Sequence, residues 1–370
     1  MKFADFKLGT WFSKYYFDTE VILCVSGVEE FSFGELRKLV HLSYDEIDQI
    51  IFKDSPSYGS VGIRGAIAQR WRQGDIEQVM ATHGSSEAMF LVMSALLQPG
   101  DEVIVLSPCY QPLLAIPEAL GCVVKYWRLK QDLNFSPDIK ELKHLLTPAT
   151  RMVIVNFPNN PTGATLTQTQ YHELIQAVAD TDAYLLWDAA FTELVYNAPP
   201  LPDPVQSYAR TITLGTLTKT YGLGGLRVGW ALASPDVLAR CVRVRDYITL
   251  NLSPLIEYIA QRVVENIDLL LDIRLRQARQ NLALLSEWVE QHSEFVQWTR
   301  PQGGVSAFIK FQHIPDVEDF CLHLAREYGV FLLPGGCFEH PEYVRLGFGG
   351  ATLDMQKGLS RLSQMLKRGG

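Results

Sequence analysis

Five short apolar runs, separated by amphipathic stretches in the middle of the chain, constrain the fold more than any other feature. Val103–Leu106, Met152–Asn156, Tyr184–Asp188, Thr211–Gly215 and Val228–Ala233 each read as a buried strand. Between some of them, Ser86–Leu97 and Gln168–Ala179 read as helices. Strands alternating with helices form a largely parallel sheet covered by those helices, an α/β architecture. Ligands in such sheets sit at the carboxyl ends of the strands, so the residues there carry the search for chemistry.

The chain has 370 residues, 47% of them apolar, which suffices for a large core and more than one packed unit. Ser253–His292 is long, helical in pattern and free of Gly and Pro after Pro254, as expected of a connector. The tail then alternates again: Val305–Phe311, a helix near Val317–Tyr328, strands near Val330–Leu333 and Tyr343–Gly347, and a final helix. We place a large domain at 46–252 and a small domain at 1–45 together with 253–370. The net charge of −8 argues against a nucleic-acid or membrane-surface partner. It leaves open a small anion held by a few arginines. The six cysteines are scattered, with no C-x-x-C pair and no zinc spacing, so no metal is expected. They fit the reduced thiols of a cytoplasmic protein. The N-terminus has no continuous apolar region, so no signal peptide is expected, and no run reaches membrane-spanning length.

Lys219 lies in Thr216-Leu-Thr-Lys, just past one apolar run, and is followed by Tyr221-Gly-Leu-Gly-Gly-Leu-Arg227. Burial and nearby cations lower a lysine's pKa and free its amine as nucleophile and base. Lys219 therefore suits a Schiff base, with Thr216 and Arg227 gripping a phosphate; a surface lysine is the plain alternative. Asp188 ends an apolar strand, where an acid is costly without a cationic partner. It suits the carboxylate that keeps a pyridine nitrogen protonated, or else a helix N-cap. Asn160, in Pro158-Asn-Asn-Pro-Thr-Gly163, can hydrogen-bond a phenolic oxygen, although N-P-x-G is also an ordinary turn. Ser85 and Ser86 open an apolar helix, where free N–H groups attract an anion such as phosphate. A capping sequence is the alternative there, and His83 reads as structural. Tyr110 can stack on a pyridine face or fill the core. Arg345, inside a short apolar strand, needs an anion, and its planar fork suits an α-carboxylate. A structural ion pair would satisfy it too.

In order and spacing, these residues resemble the fold type I pyridoxal 5′-phosphate (PLP) enzymes of the class I/II aminotransferase group, over nearly the whole chain. The resemblance implies a large domain with a mostly parallel seven-stranded sheet between helices, plus a smaller α+β domain. It implies PLP on Lys219, Asp188 at the pyridine nitrogen, Asn160 at O3′ and Tyr110 on the ring. Ser85, Ser86, Thr216 and Arg227 would bind the phosphate, and Arg345 the substrate's α-carboxylate. Gly27, in Val25-Ser-Gly-Val, matches a loop that closes over that carboxylate. Tyr58, in Ser55-Pro-Ser-Tyr-Gly, matches a tyrosine that reaches the phosphate of a neighbouring subunit, which implies a homodimer with shared sites.

One position departs from that pattern. A tyrosine that donates to O3′ usually follows the strand-end Asp by three residues, and here Phe191 stands there. Its absence counts against plain transamination without excluding it. Val25–Leu36, Trp187–Val195, Gly215–Leu223 and Arg245–Pro254 resemble a subgroup, the capreomycidine synthases and the enduracididine-forming cyclodehydratases of guanitoxin biosynthesis. Phe191 fits that subgroup too. It implies a substrate of hydroxylated L-arginine, γ-hydroxyarginine in preference to the β isomer. Cα deprotonation, loss of water and intramolecular guanidine addition would follow. A guanidinium is a poor nucleophile with a pKa above about 12, so some group must orient it and accept a proton. Glu29 and Glu30, beside Gly27, are the candidates, with solvated loop charges as the alternative. An ordinary aminotransferase using a keto-acid co-substrate is the runner-up. A PLP-binding regulator of DNA is disfavoured by the acidic charge.

Overall fold

The computed structural model describes residues 2–367. Seven strands form its central sheet: β1 (Val79–Thr82), β2 (Glu102–Ser107), β3 (Val123–Arg128), β4 (Thr150–Asn156), β5 (Tyr184–Asp188), β6 (Thr211–Thr216) and β7 (Gly229–Leu232). They lie in the order β1-β7-β6-β5-β4-β2-β3. From β3 to β6 each neighbouring pair is parallel, and β7 alone runs against both its neighbours. The sheet is thus mostly parallel, as the alternation of runs predicts.

Burial on both faces explains why the central strands read as continuous apolar runs. Ile104, Leu106, Val153, Val155 and Leu185 face one core, and Val103, Val105, Ile154 and Leu186 face the other. The helix Gly84–Leu96 packs on the second side, and Gln168–Ala179 on the first. Thr167 and Gln170 close the start of the latter as a capping box. Strands β1 and β3 are additions to the sequence reading. β1 is only four residues long, and β3 lies at the sheet's edge with Val123 51% exposed. An edge strand escapes the demand for apolar residues on both faces.

The stretch Ser253–His292 divides into helices Pro254–Glu265 and Ile267–Gln291 at Asn266, whose side chain donates to the Arg262 carbonyl at 2.8 Å. Beyond it, strands Val296–Trp298, Ser306–Phe311, Leu333–Pro334 and Tyr343–Gly347 make a four-stranded antiparallel sheet. The strand Val21–Ile22 pairs with Val330–Phe331, so the two ends of the chain share structure. The N-terminal helix Lys7–Tyr15 docks nearby: Trp11 donates from its indole to the Leu332 carbonyl at 3.1 Å and stacks on Phe331. No described helix is long and apolar enough to cross a membrane.

Candidate active site

The carboxyl ends of β4, β5 and β6 and the start of the helix Gly84–Leu96 open onto one cavity of about 260 Å³. Ser85, Ser86, Tyr110, Asn160, Asp188, Thr216, Lys219, Arg227 and Arg345 all line it. Residues far apart in sequence therefore meet at one site.

Two features of this cavity mark an anion cradle. The helix Gly84–Leu96 begins without any side-chain cap, which leaves its first N–H groups open to a ligand. Glycine is required on both sides of that start. A Cβ at Gly84 (φ +71°) would lie 2.9 Å from Nη2 of Arg227, and one at Gly229 would lie 2.5 Å from the Ser85 nitrogen. The guanidinium, the helix start and strand β7 therefore converge as closely as backbone allows. The Thr216 hydroxyl lies at the same end, 3.0 Å from that of Thr218.

The other polar groups are short of partners. Asp188 is 3% exposed, and its carboxylate accepts one hydrogen bond among the described residues, from the Ala190 N–H at 3.1 Å. Burial pushes its carboxyl up to about 6, against only partial relief from Lys219. Loss of hydration, and then the nearby Arg345 and Arg227, bring the Lys219 amine down to about 8. Arg345 is 1% exposed; it donates from Nη1 to Oδ1 of Asn160 at 3.0 Å and from Nη2 to the Cys24 carbonyl. Its Nε is buried with no partner. A buried cation with an unused donor is costly unless an anion completes it.

Four expected residues, Gly27, Tyr58, Glu29 and Glu30, lie outside the cavity lining. Gly27 runs beside it: the Val28 N–H donates to the Lys219 carbonyl at 3.1 Å, and a Cβ on Gly27 would sit 3.9 Å from Cδ of Lys219. Tyr58 packs near the second core, under the Arg64 guanidinium, away from this chain's own cavity. Glu29 is placed differently from its expected role. Its carboxylate accepts from Arg274 at 3.2 Å and from Gln277, and it faces a neighbouring cavity. The ion pair, at 40% side-chain exposure, accounts for its charge. Glu30 borders that same neighbouring cavity. His83 pairs with Glu87 at 3.1 Å, in keeping with a structural role.

Other lining residues escaped sequence reasoning. Phe6, Leu8, Phe12 and Tyr16 bring the N-terminal helix and its flanks over the cavity. The four-residue spacing of Leu8, Phe12 and Tyr16 was the available signal, since it sets one face of a helix. Asn156, at the end of β4, accepts from the Asn160 N–H at 2.9 Å and donates to the Asp188 carbonyl at 3.0 Å. It thereby ties two strand ends together. Phe191 lines the cavity as a buried ring with no hydroxyl to offer.

The family model for aminotransferase class I and II matches residues 36–362. The chain belongs to that family. Capreomycidine synthase from Streptomyces vinaceus, a relative, is 42% identical over 97% of this chain and 93% of its own. A crystal structure of the PLP-dependent cyclase OrfR superposes with a TM-score of 0.95 at 40% identity, covering 100% of this chain and 99% of that one. A PLP-dependent aminotransferase from Streptococcus suis also gives 0.95, at 31% identity and the same coverage. The cofactor of the family is PLP, and the residues present fit it. The uncapped helix start beside Arg227 suits a phosphate, the buried Asp188 suits a protonated ring nitrogen, and the lowered Lys219 amine suits an aldehyde.

Proposed function

We propose that the chain is a PLP-dependent cyclodehydratase. It converts hydroxylated L-arginine, with γ-hydroxyarginine favoured, into a cyclic guanidino amino acid: an enduracididine, or capreomycidine from β-hydroxyarginine. The observation that carries this is the 42% identity to capreomycidine synthase over 97% of the chain. The likeness to a second cyclase and the Phe191 ring in the cavity support it.

Bound here, PLP supplies an electron sink for negative charge at the substrate's Cα. The Lys219 amine, close to half neutral at about pH 8, removes the Cα proton. Asp188 keeps a proton on the ring nitrogen, which gives its buried carboxylate the cation it lacks. Arg345 takes the α-carboxylate and uses its free Nε. By occupying Oδ1 of Asn160, Arg345 leaves that amide's N–H groups as donors toward O3′. Tyr110 stacks on the ring, while Ser85, Ser86, Thr216 and Arg227 hold the phosphate. The loop at Gly27 and the N-terminal helix cover the substrate and exclude water. Confinement then holds the guanidine near the carbon it attacks, which raises its effective concentration.

A homodimer with Tyr58 serving the neighbouring subunit belongs to the same proposal. Ile51, Phe52, Val61, Tyr247 and Leu250 are more than half exposed on either side of Tyr58 in sequence or at the adjoining loop. The Arg245 guanidinium donates to the Ser57 carbonyl at 2.6 Å, which brings the two segments together. Apolar surface of this extent suits a subunit contact. The pairing of Val21–Ile22 with Val330–Phe331 likewise supports a small domain built from 1–45 and 253–370.

The test is incubation of the PLP-loaded protein with β- and γ-hydroxyarginine, without keto acid, followed by mass analysis. Loss of one water with the α-amine retained is the expected result. A keto-acid product that depends on added 2-oxoglutarate would instead establish an ordinary aminotransferase.

A further inference from the structure

Lys219, Arg227 and Arg345 line the cavity, with Asp188 as the sole lining carboxylate among the described residues. Another of its walls is the N-terminal helix with its flanks, through Phe6, Leu8, Phe12 and Tyr16. Tyr16 and Val25 also border a second cavity of about 170 Å³, so they form the partition between the two. Behind that partition lie Glu29, Glu30 and Asp354. Arg274 pairs with Glu29, whereas no ion pair engages Glu30 or Asp354 among the described residues. The Tyr16 ring lies 5.2 Å from that of Phe12 and 5.1 Å from that of Phe17, and its hydroxyl makes no hydrogen bond among the described residues.

We propose that Tyr16 is a specificity-determining residue: its ring receives the cationic end of the substrate side chain, with the carboxylate of Glu30 behind it. This builds on the reading of the substrate as an arginine derivative. With PLP and substrate bound, Arg227 faces the phosphate and Arg345 the α-carboxylate, so discrimination for a second positive charge on the substrate falls to the wall that Tyr16 forms. An aromatic face attracts a guanidinium through its quadrupole, more strongly where water is excluded. Carboxylates behind the ring add a field of the same sense, within a Debye length. The free Tyr16 hydroxyl can also accept from a guanidinium N–H. A neutral side chain of the same shape gains none of these terms.

The experiment compares L-arginine with L-citrulline, a neutral near-isostere, on the PLP-loaded protein. Neither carries the hydroxyl group that must leave. Binding is followed through the visible absorbance of the cofactor, and the readout is the ratio of the two dissociation constants. We expect the wild-type protein to prefer arginine roughly tenfold. Tyr16→Ala and Tyr16→Leu should bring the ratio close to one, Tyr16→Phe should keep most of it, and Glu30→Gln should lower it about two- to threefold. Citrulline binding on each variant serves as the control for general damage, and the cofactor band reports an intact site. Equal affinity in the wild type, or an undiminished ratio in both Tyr16→Ala and Tyr16→Leu, overturns the assignment. An intact preference with no cyclised product from either hydroxyarginine removes the cyclase reading alone. Cyclisation without a charge preference removes the Tyr16 assignment alone.

Discussion

The two ends of the cavity are built in opposite ways. At the cofactor end, Asp188 and Thr216 close strands of the central sheet, and Asn160, Lys219 and Ser85 follow within a few residues of strands β4, β6 and β1. The strands that carry or precede them are fixed in the sheet by ladders of hydrogen bonds. At the substrate end, the wall is a nine-residue helix held by one indole hydrogen bond, ring contacts and two bonds to Gln111. A rigid end that sets the chemistry and a lightly tethered end that admits the substrate should respond differently to substitution.

The largest effect falls at the rigid end. Lys219→Ala removes both the amine that attaches PLP and the base, so activity should fall at least about 10³-fold. Borohydride reduction followed by mass analysis should find no PLP adduct on the variant. An adduct on another lysine would relocate the site and dissolve the contrast.

Next in size is the pH dependence of PLP loading onto the apoprotein. The attacking species is the neutral amine. Burial with Arg345 and Arg227 lowers Lys219 from 10.5 to about 8, so the neutral fraction grows with pH and saturates above that value. Between about pH 6 and pH 8 the loading rate should rise roughly 50-fold and then level off. A rate still climbing tenfold per unit past pH 9 would mean an ordinary, solvated lysine. Stopped-flow absorbance distinguishes the two.

Phe191 tests how the rigid end is tuned. The ring is buried against the cavity and offers no donor. Phe191→Tyr places a hydroxyl where the pattern read from the sequence expects a donor to O3′, and a hydrogen bond to a charged oxygen is worth about 1.5 kcal/mol or more. The pH midpoint of the cofactor's visible band should therefore drop by about one unit, as an absorbance titration would show. Keto-acid formation in the presence of 2-oxoglutarate should rise several-fold. An unmoved midpoint would mean that the new hydroxyl does not reach the cofactor.

The same contrast explains what was legible in the sequence. Strands such as Tyr184–Asp188 must be apolar throughout to sit between two layers of helices, so the polar residue that ends one stands out. The lysine among hydroxyls stands out locally as well, whereas the close packing that demands glycine at 84 and 229 shows only in the structure. The spacing of Phe12 and Tyr16 sets them on one helix face, but an aromatic face looks the same in sequence whether it covers core or substrate. Glu29 shows the reverse error. A carboxylate close to Gly27 in sequence turned away from the cavity because Arg274, 245 residues later, offers it a partner. Strand β3 went unread for a related reason: its edge position relaxes the pattern that betrays the others.

Gln111 gives the smallest expected effect and the finest test of the contrast. Its side chain accepts from the Lys7 N–H at 3.0 Å and donates to the Asp5 carbonyl at 2.8 Å, and so clips the start of the N-terminal helix to the segment after Tyr110. Both bonds are exposed, so water replaces most of what is lost and the net cost is about 1 kcal/mol. Gln111→Ala should therefore loosen the lid over the substrate, raising KM about fivefold, with the affinity for PLP unchanged. PLP titration and steady-state kinetics on the same preparation separate the two quantities. If PLP affinity falls along with substrate affinity, the helix braces Tyr110 against the cofactor, through the edge contact between Phe6 and Tyr110 at 6.0 Å. The two ends would then form one mechanical unit, and the N-terminal helix would belong to the cofactor site as much as to the substrate.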